Sequence, residues 1–352
     1  MGSTANPCLV QLRRDIASPP FARREVVRQP TTGLERSVSA GVSTTPIEAP
    51  RDLVRLGPVM ERGTGRPEVV IGLIDGPVAM GHPALSGGNL REISGLGASC
   101  IARNNAACFH GTFVAGILSA ERGAQAPALC PSCTLIVRPI FSEAYSASLQ
   151  VPSATTQDLA AAVVDCIQAG ARILNLSAAL GHASPRDERH LQVALDYACR
   201  RGVIVVAAAG NQGSIGGSTI TRHPWVIPVV GYSLSGRPMT QSTFGAAIGR
   251  HGLGGPGEGV TSLSPTGPSV TFAGTSVAAP FVSGTFGLLL SAFPHATGVD
   301  VRLALTRSAA SRRRTVVPPL LDAWTAYREL SRAHSRTSTH RGGGNGWKGD
   351  RQ

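Results

Sequence analysis

The run Phe272-Ala-Gly-Thr-Ser-Val-Ala-Ala-Pro-Phe281 narrows what this chain can be more than any other feature. A Gly-Thr-Ser step places a hydroxyl at a tight turn. The small residues after it, Val277 to Ala279, open an apolar helix that continues through Gly284 to Leu290. Ser276 then sits at a helix N-terminus, where backbone N–H groups without intrahelical partners and the positive end of the dipole favour a developing anion. Alone, such a serine reads equally well as an N-cap. Three further blocks supply what a nucleophilic serine needs.

Val69-Val-Ile-Gly-Leu-Ile-Asp-Gly-Pro77 is an apolar run of the buried parallel-strand type, ending in Asp75 and broken by Gly76-Pro77. Open α/β sheets carry functional groups at the C-terminal ends of such strands. Phe109-His-Gly-Thr-Phe-Val-Ala-Gly-Ile-Leu118 opens a helix with His110. Val203-Ile-Val-Val-Ala-Ala-Ala-Gly-Asn-Gln212 is another buried strand, ending in Gly210-Asn211. Ser276 is a poor nucleophile unless a base lies within hydrogen-bond reach. His110 is suited to take that proton and return it to a leaving amine, since imidazole titrates near neutrality. Asp75 would hold one imidazole tautomer, and Asn211 with a backbone N–H near Ser276 would stabilise an oxyanion. Singly, each has a plainer reading: a strand-end turn residue for Asp75, a helix cap or core histidine for His110, a left-handed turn residue for Asn211. Four matched groups in matched contexts outweigh those readings together.

The chain order Asp75, His110, Asn211, Ser276 resembles that of the subtilisin-like serine proteases, the subtilases. The resemblance runs from about Asp52 to about Arg332. A narrower likeness is to the PatA/PatG-type proteases that mature cyanobactin precursor peptides. It is carried by Leu73-Ile-Asp-Gly-Pro-Val78 with His82-Pro-Ala-Leu85, by Cys108-Phe-His-Gly-Thr-Phe-Val-Ala-Gly116, and by Leu129-Cys-Pro-Ser-Cys-Thr-Leu-Ile-Val-Arg-Pro-Ile-Phe141. The resemblance implies a serine endopeptidase with the triad Asp75, His110 and Ser276, an oxyanion hole at Asn211, and no cofactor. It also implies a substrate-binding wall at Ser177, Ala178 and Ala179, with Gly210 beside it. The partner it implies is a peptide or precursor peptide. A general or secreted degradative subtilase is the alternative, and a peptide-binding pseudo-protease a more distant one.

The chain departs from common subtilases in four places. Phe113 and Phe281 stand where histidines are usual. In Asn175-Leu-Ser-Ala-Ala-Leu180, Ala179 and Leu180 replace glycines of the wall that pairs with substrate, which predicts a narrower pocket. The loop Ser119 to Ala126 has a single acid, Glu121, where calcium wants about six to eight oxygens, so no calcium site is expected there. Macrocyclising relatives carry a helical cap between Asp and His. Only Gly- and Ser-rich sequence separates Asp75 from His110, so a linear, hydrolysed product is expected.

Alternating apolar runs and amphipathic stretches predict an α/β fold, a doubly wound, mostly parallel sheet with helices on both faces, subtilisin-like. Expected strands are 69–74, 135–139, 172–176, 203–208 and 226–230. Expected helices are 156–169, 184–201, 276–293, 298–310 and 321–333. Residues 51–332 form the expected catalytic domain. Residues 1–50 read as a flexible arm, rich in Pro, Ser and Thr, and 333–352 as a disordered tail. Within the arm, Gly33-Leu-Glu-Arg-Ser37 resembles the recognition sequence cut in cyanobactin precursors, and is expected to be able to enter the enzyme's own cleft.

The net charge is +12. Arg312-Arg-Arg314 has no interleaved aromatics and reads as a solvated helix end, so no nucleic-acid partner is expected. No signal peptide and no membrane span are read, which predicts a cytoplasmic protein, expected to be a monomer. Of the 7 cysteines, Cys100 with Cys108 and Cys130 with Cys133 are read as local disulfides, although these suit a reducing cytoplasm badly. A zinc site of all four is the alternative. Cys166 and Cys199 are expected to be buried thiols. Gly252-Leu-Gly-Gly-Pro-Gly257 fits a dinucleotide-loop spacing, but it contains Pro and opens no helix, so it is set aside.

Overall fold

The computed structural model describes residues 27–28, 48–93, 100, 105–141, 153–177, 179–180, 185–267, 269–307 and 315–341. In chain order its strands are β1 (Val27–Arg28), β2 (Val70–Asp75), β3 (Asn89–Glu92), β4 (Thr134–Pro139), β5 (Ser153–Ala154) and β6 (Ile173–Leu176). They continue with β7 (Ala179–Leu180), β8 (Ile204–Ala208), β9 (Val226–Tyr232), β10 (Leu253–Pro256), β11 (Val260–Ser262) and β12 (Val270–Phe272). Seven of them form one sheet in the order β10-β9-β8-β6-β2-β4-β3, and every neighbouring pair is parallel.

Alternation along the strands explains the continuous apolar runs. Ile71, Leu73, Ile173, Ile204 and Val206 face one core, while Ile74, Leu174, Leu176, Val205 and Ala207 face the other. Successive side chains of a strand point to opposite faces, so a sheet buried on both faces needs apolar residues at every position. The first core holds helices Ala106–Ser119, Thr275–Ala292 and Gly298–Arg307; the second holds Thr156–Gln168 and Pro185–Arg200. The fold is thus the expected doubly wound α/β sheet. The Thr156–Gln168 helix starts in a reciprocal cap, in which Thr155 Oγ1 accepts from Asp158 N–H and the Asp158 carboxylate accepts from Thr155 N–H, each at 3.0 Å.

Helix Thr275–Ala292 is long and apolar enough to cross a membrane by composition, yet 94% of it is buried among the other elements. It is the central core helix. Strand order reverses between β2 and β6: the chain runs out to β4 and β3 on one side, and to β8, β9 and β10 on the other. A crevice at the C-terminal ends of such strands is where open sheets hold ligands.

Several sequence expectations change. The terminal helix spans Ala323–Arg341 and so runs past the expected start of a disordered tail at 333. It is tied to the start of the domain by Ala323 N–H donating to Val54 O at 3.1 Å and by an Arg55–Asp322 ion pair at 2.9 Å. Within the supposedly flexible arm, Val27–Arg28 is a strand. Cys100 and Cys108 are bonded as expected. Cys130 and Cys133 are not: both are free, buried thiols. With Cys100 and Cys108 joined to each other, the four-cysteine zinc alternative loses two of its ligands. Cys166 is buried, and burial pushes its thiol up to about 12, but Cys199 is exposed near the end of its helix. The set-aside glycine run is the edge strand β10, where side chains at Gly254 and Gly255 would collide with the Tyr232 ring and the Ala278 carbonyl. Ala178, Gly33–Ser37 and Arg312–Arg314 lie outside the described residues.

Candidate active site

Asp75 ends β2 and is wholly buried. The turn after it packs on the first turn of helix Ala106–Ser119. A Cβ at Gly76 would overlap the Ala107 carbonyl, and one at Gly111 would overlap that of Pro77. Asp-Gly and His-Gly therefore act as a steric pair: two absent side chains let the strand end touch the helix start. That approach brings His110 Nδ1 to 2.8 and 3.0 Å from the two Asp75 carboxylate oxygens. Gly76 N–H donates to Asp75 Oδ1 at 2.6 Å and holds the carboxylate in line. Asn105 caps the helix by accepting from Ala107 N–H at 2.7 Å.

On its other side, His110 Nε2 lies 2.8 Å from Ser276 Oγ. A carboxylate can only accept, so Nδ1 carries the proton and Nε2 is left to accept from the serine hydroxyl. Ser276 is the second residue of helix Thr275–Ala292. The helix is entered through Gly274 at φ +142°, a left-handed backbone with the Asn211 amide pressed against it; a Cβ there would lie 2.8 Å from Asn211 Nδ2.

Two hydrogen bonds join the end of β8 to this helix start. Gly210 N–H donates to Thr275 Oγ1 at 3.2 Å, and Thr275 N–H donates to Asn211 Oδ1 at 2.9 Å. With its oxygen so engaged, Asn211 turns its Nδ2 donor end toward the helix start.

The segment expected to form the substrate wall is anchored from the core. Ser283 Oγ donates to Asn175 Oδ1 at 2.8 Å, Asn175 Nδ2 donates to Ser177 Oγ at 3.0 Å, and Ser177 N–H donates to Ile74 O at 3.3 Å. Ser177 is thus fixed beside Asp75 at the C-terminal edge of the sheet. Beyond it, Ala179 begins β7. The expected residues Asp75, His110, Ser276, Asn211, Gly210 and Ser177 are linked by hydrogen bonds at the C-terminal end of the sheet, with Ala179 two residues on. The sequence reading missed Thr275, Asn175 and Ser283. Asn175 had a signal: a polar residue inside the apolar strand Ile173-Leu-Asn-Leu176 must find buried partners. Phe113 and Phe281 are core residues; the Phe113 ring packs tilted against Phe272 at 4.7 Å between ring centres.

The sequence profile of the subtilase family matches residues 66–346. The chain belongs to the subtilase family. It is 28% identical to subtilisin DY of Bacillus licheniformis, over 74% of this chain and 90% of that protein. It is 32% identical to mycosin-1 of Mycobacterium tuberculosis, over 64% of this chain and 60% of that protein. Among solved structures it resembles a serine-to-alanine mutant of the protease domain of PatA, with a TM-score of 0.69 and 28% identity over 77% of this chain and 98% of that one. The prenylagaramide maturation protease PagA gives a TM-score of 0.67 and 26% identity, over 78% and 98%. The PatG macrocyclase domain, 18% identical with a TM-score of 0.68 over 82% and 99%, shares the fold. As a subtilase, this protein is a serine endopeptidase.

Proposed function

We propose that this endopeptidase processes a ribosomally made precursor peptide, cutting it with Ser276, His110, Asp75 and Asn211. The observation that carries the chemistry is the continuous line from Asp75 through His110 to Ser276 Oγ, 2.8 Å at each link. Ser276 Oγ attacks the scissile carbonyl carbon as His110 Nε2 takes its proton. The carbonyl oxygen becomes an oxyanion, held by Asn211 Nδ2 and the Ser276 N–H. Collapse breaks the C–N bond, and His110 returns the proton to the leaving amine. Water then attacks the acyl-enzyme with His110 again as base, releasing a free carboxylate. Asp75 stabilises the imidazolium in both halves.

The choice of a precursor peptide over bulk protein rests on likeness to the solved chains of the PatA protease domain and the PagA maturation protease, 98% of each of which is covered. It also rests on a groove wall in which Ala179 and Leu180 stand in place of glycines. The test compares unfolded casein with a precursor-like peptide containing Gly-Leu-Glu-Ala-Ser. One discrete cut in the peptide, a linear product by mass and slow attack on casein are expected. Rapid, scattered cleavage of casein would instead make this a degradative subtilase, and a mainly cyclic product would overturn the hydrolytic reading.

A further inference from the structure

Helices Thr156–Gln168 and Pro185–Arg200 finish where β6 and β8 begin, at the end of the sheet away from the triad. The turn before helix Gly298–Arg307 borders the same edge. Between these segments lies a concavity of about 500 Å³, inside the range of small-molecule sites. Ile167, Ala171 and Val203 give it an apolar lining, and Arg172, Arg201 and His295 a cationic one. The Arg172 main chain is used by the sheet: its N–H donates to Val70 O at 2.9 Å, and its carbonyl accepts from Ile204 N–H at 3.0 Å. Its guanidinium, like that of Arg201, has no ion-pair or hydrogen-bond partner among the described residues. Other arginines at this edge are committed. Arg91 donates to the Ala169 carbonyl at 2.7 Å, and Arg302 to that of Pro224 at 2.6 Å. The acids closest in sequence to the three helix ends are committed too. Asp165 pairs with Arg138 at 3.0 Å, Asp196 pairs with His223 at 3.1 Å, and the Asp300 carboxylate accepts from Thr297 N–H at 2.8 Å.

We propose that this concavity binds a small anion carrying two or more phosphate or carboxylate groups, with Arg172 and Arg201 each holding one of them. A guanidinium presents parallel N–H donors that match either group in a two-bond fork. Two such forks over an apolar lining, with no carboxylate paired to them, suit a ligand with separate anionic ends and a body between. His295, its ring stacked on His334 at 5.8 Å between centres, adds an N–H donor at the rim. The site is not the peptide cleft. β8 starts at the concavity and is five residues long, roughly 16 Å, and Gly210 and Asn211 lie beyond its far end. An occupant here does not stand in the way of a peptide at Ser276.

The test is isothermal titration of the full chain, carrying Ser276→Ala to prevent self-digestion, with inorganic pyrophosphate and, separately, with citrate. Salt is held at about 0.15 M, where the Debye length of about 8 Å screens the pull of the +12 net charge. The expected result is a Kd below roughly 1 mM for at least one of the two anions. Pyrophosphate alone makes the ligand a phosphate compound, citrate alone a polycarboxylate, and both together a site that reads charge spacing only. Arg172→Gln and Arg201→Gln should each weaken binding about tenfold or more, the loss of one charged fork. Arg237→Gln, an exposed arginine in the turn after β9 at the other end of the sheet, should leave it unchanged. Should Arg172→Gln fail to fold, the exposed Arg201 decides alone. Binding of neither anion overturns the proposal, and so does equal weakening by Arg237→Gln, which would show diffuse attraction to a basic surface.

Discussion

The two sides of the cleft are built by different means. On the triad side, Asp75 ends a strand, His110 lies in the second turn of one helix rather than opening it, and Ser276 starts another; close approach at Gly76, Gly111 and Gly274 and side-chain hydrogen bonds hold them together. At the expected substrate wall, β1, β5 and β7 are two-residue strands held by main-chain pairing. Short strands without a core of their own are marginal, whereas buried helix ends are rigid. The difference suits the tasks. Chemistry needs atoms held to a fraction of an ångström, while a groove must admit and release a chain.

The sharpest way to separate the two sides is Ser276→Ala. It should lower kcat on the order of 10⁶-fold, the loss subtilisin itself suffers when its nucleophile is removed. Peptide binding measured by fluorescence should persist, because no groove contact is touched. Residual turnover near wild type would remove Ser276 as nucleophile, and lost binding would show the two sides to be one unit.

Asn211→Ala comes next, with an expected fall of about 10²–10³-fold in kcat and little change in KM, since the donor acts only once charge develops. A rise in KM of the same size would instead make Asn211 a ground-state contact. Smaller again is Thr275→Val. It keeps the shape but leaves the Gly210 N–H without its acceptor, a buried loss of about 1–3 kcal/mol in stability. The Thr275 N–H still donates to Asn211 Oδ1, but the backbone at Gly210 just before Asn211 is loosened, so kcat should drop about tenfold. Unchanged kcat together with a lowered Tm would make Thr275 purely structural.

The same division decides how much could be read from the residues alone. Asp75, His110, Asn211 and Ser276 were readable because triad chemistry demands particular side chains, and because glycines and apolar runs mark where strands end and helices start. The interior strands and most helices followed from continuous burial. The groove was harder. Main-chain pairing leaves no signature in Val27, Ser153 or Leu180, so β1 passed for a loose arm. β10 was hidden because Gly254 and Gly255 answer to the Tyr232 ring and the Ala278 carbonyl, contacts set by tertiary packing. Cys130 and Cys133 looked like a disulfide by spacing, but the fold keeps both as thiols, Cys133 pulled below its usual range by its hydrogen bond with Cys130. Polar Arg328, Arg332 and Arg336 masked the helix that continues to Arg341.

The smallest expected effect is none at all. Chelation by EDTA should leave kcat, KM and Tm unchanged. The argument starts from Glu121, the one acid of the Ser119–Ala126 loop. Its Oε1 accepts from Gly87 N–H at 3.1 Å and from Ser86 Oγ at 3.3 Å, so this carboxylate already serves to pin a neighbouring turn. Arg122 beside it donates to the Met60 and Gly63 carbonyls, at 2.6 and 2.7 Å. Among the described residues no three His, Cys, Asp or Glu side chains converge. The loop is thus closed by an acid, a base and backbone groups, and it offers far fewer than the about six to eight oxygens calcium wants. Proton transfer between Ser276 and His110, with Asp75 holding the imidazole, calls for no ion. A fall in Tm on chelation, restored by added calcium, would break this account and place a structural ion in the molecule.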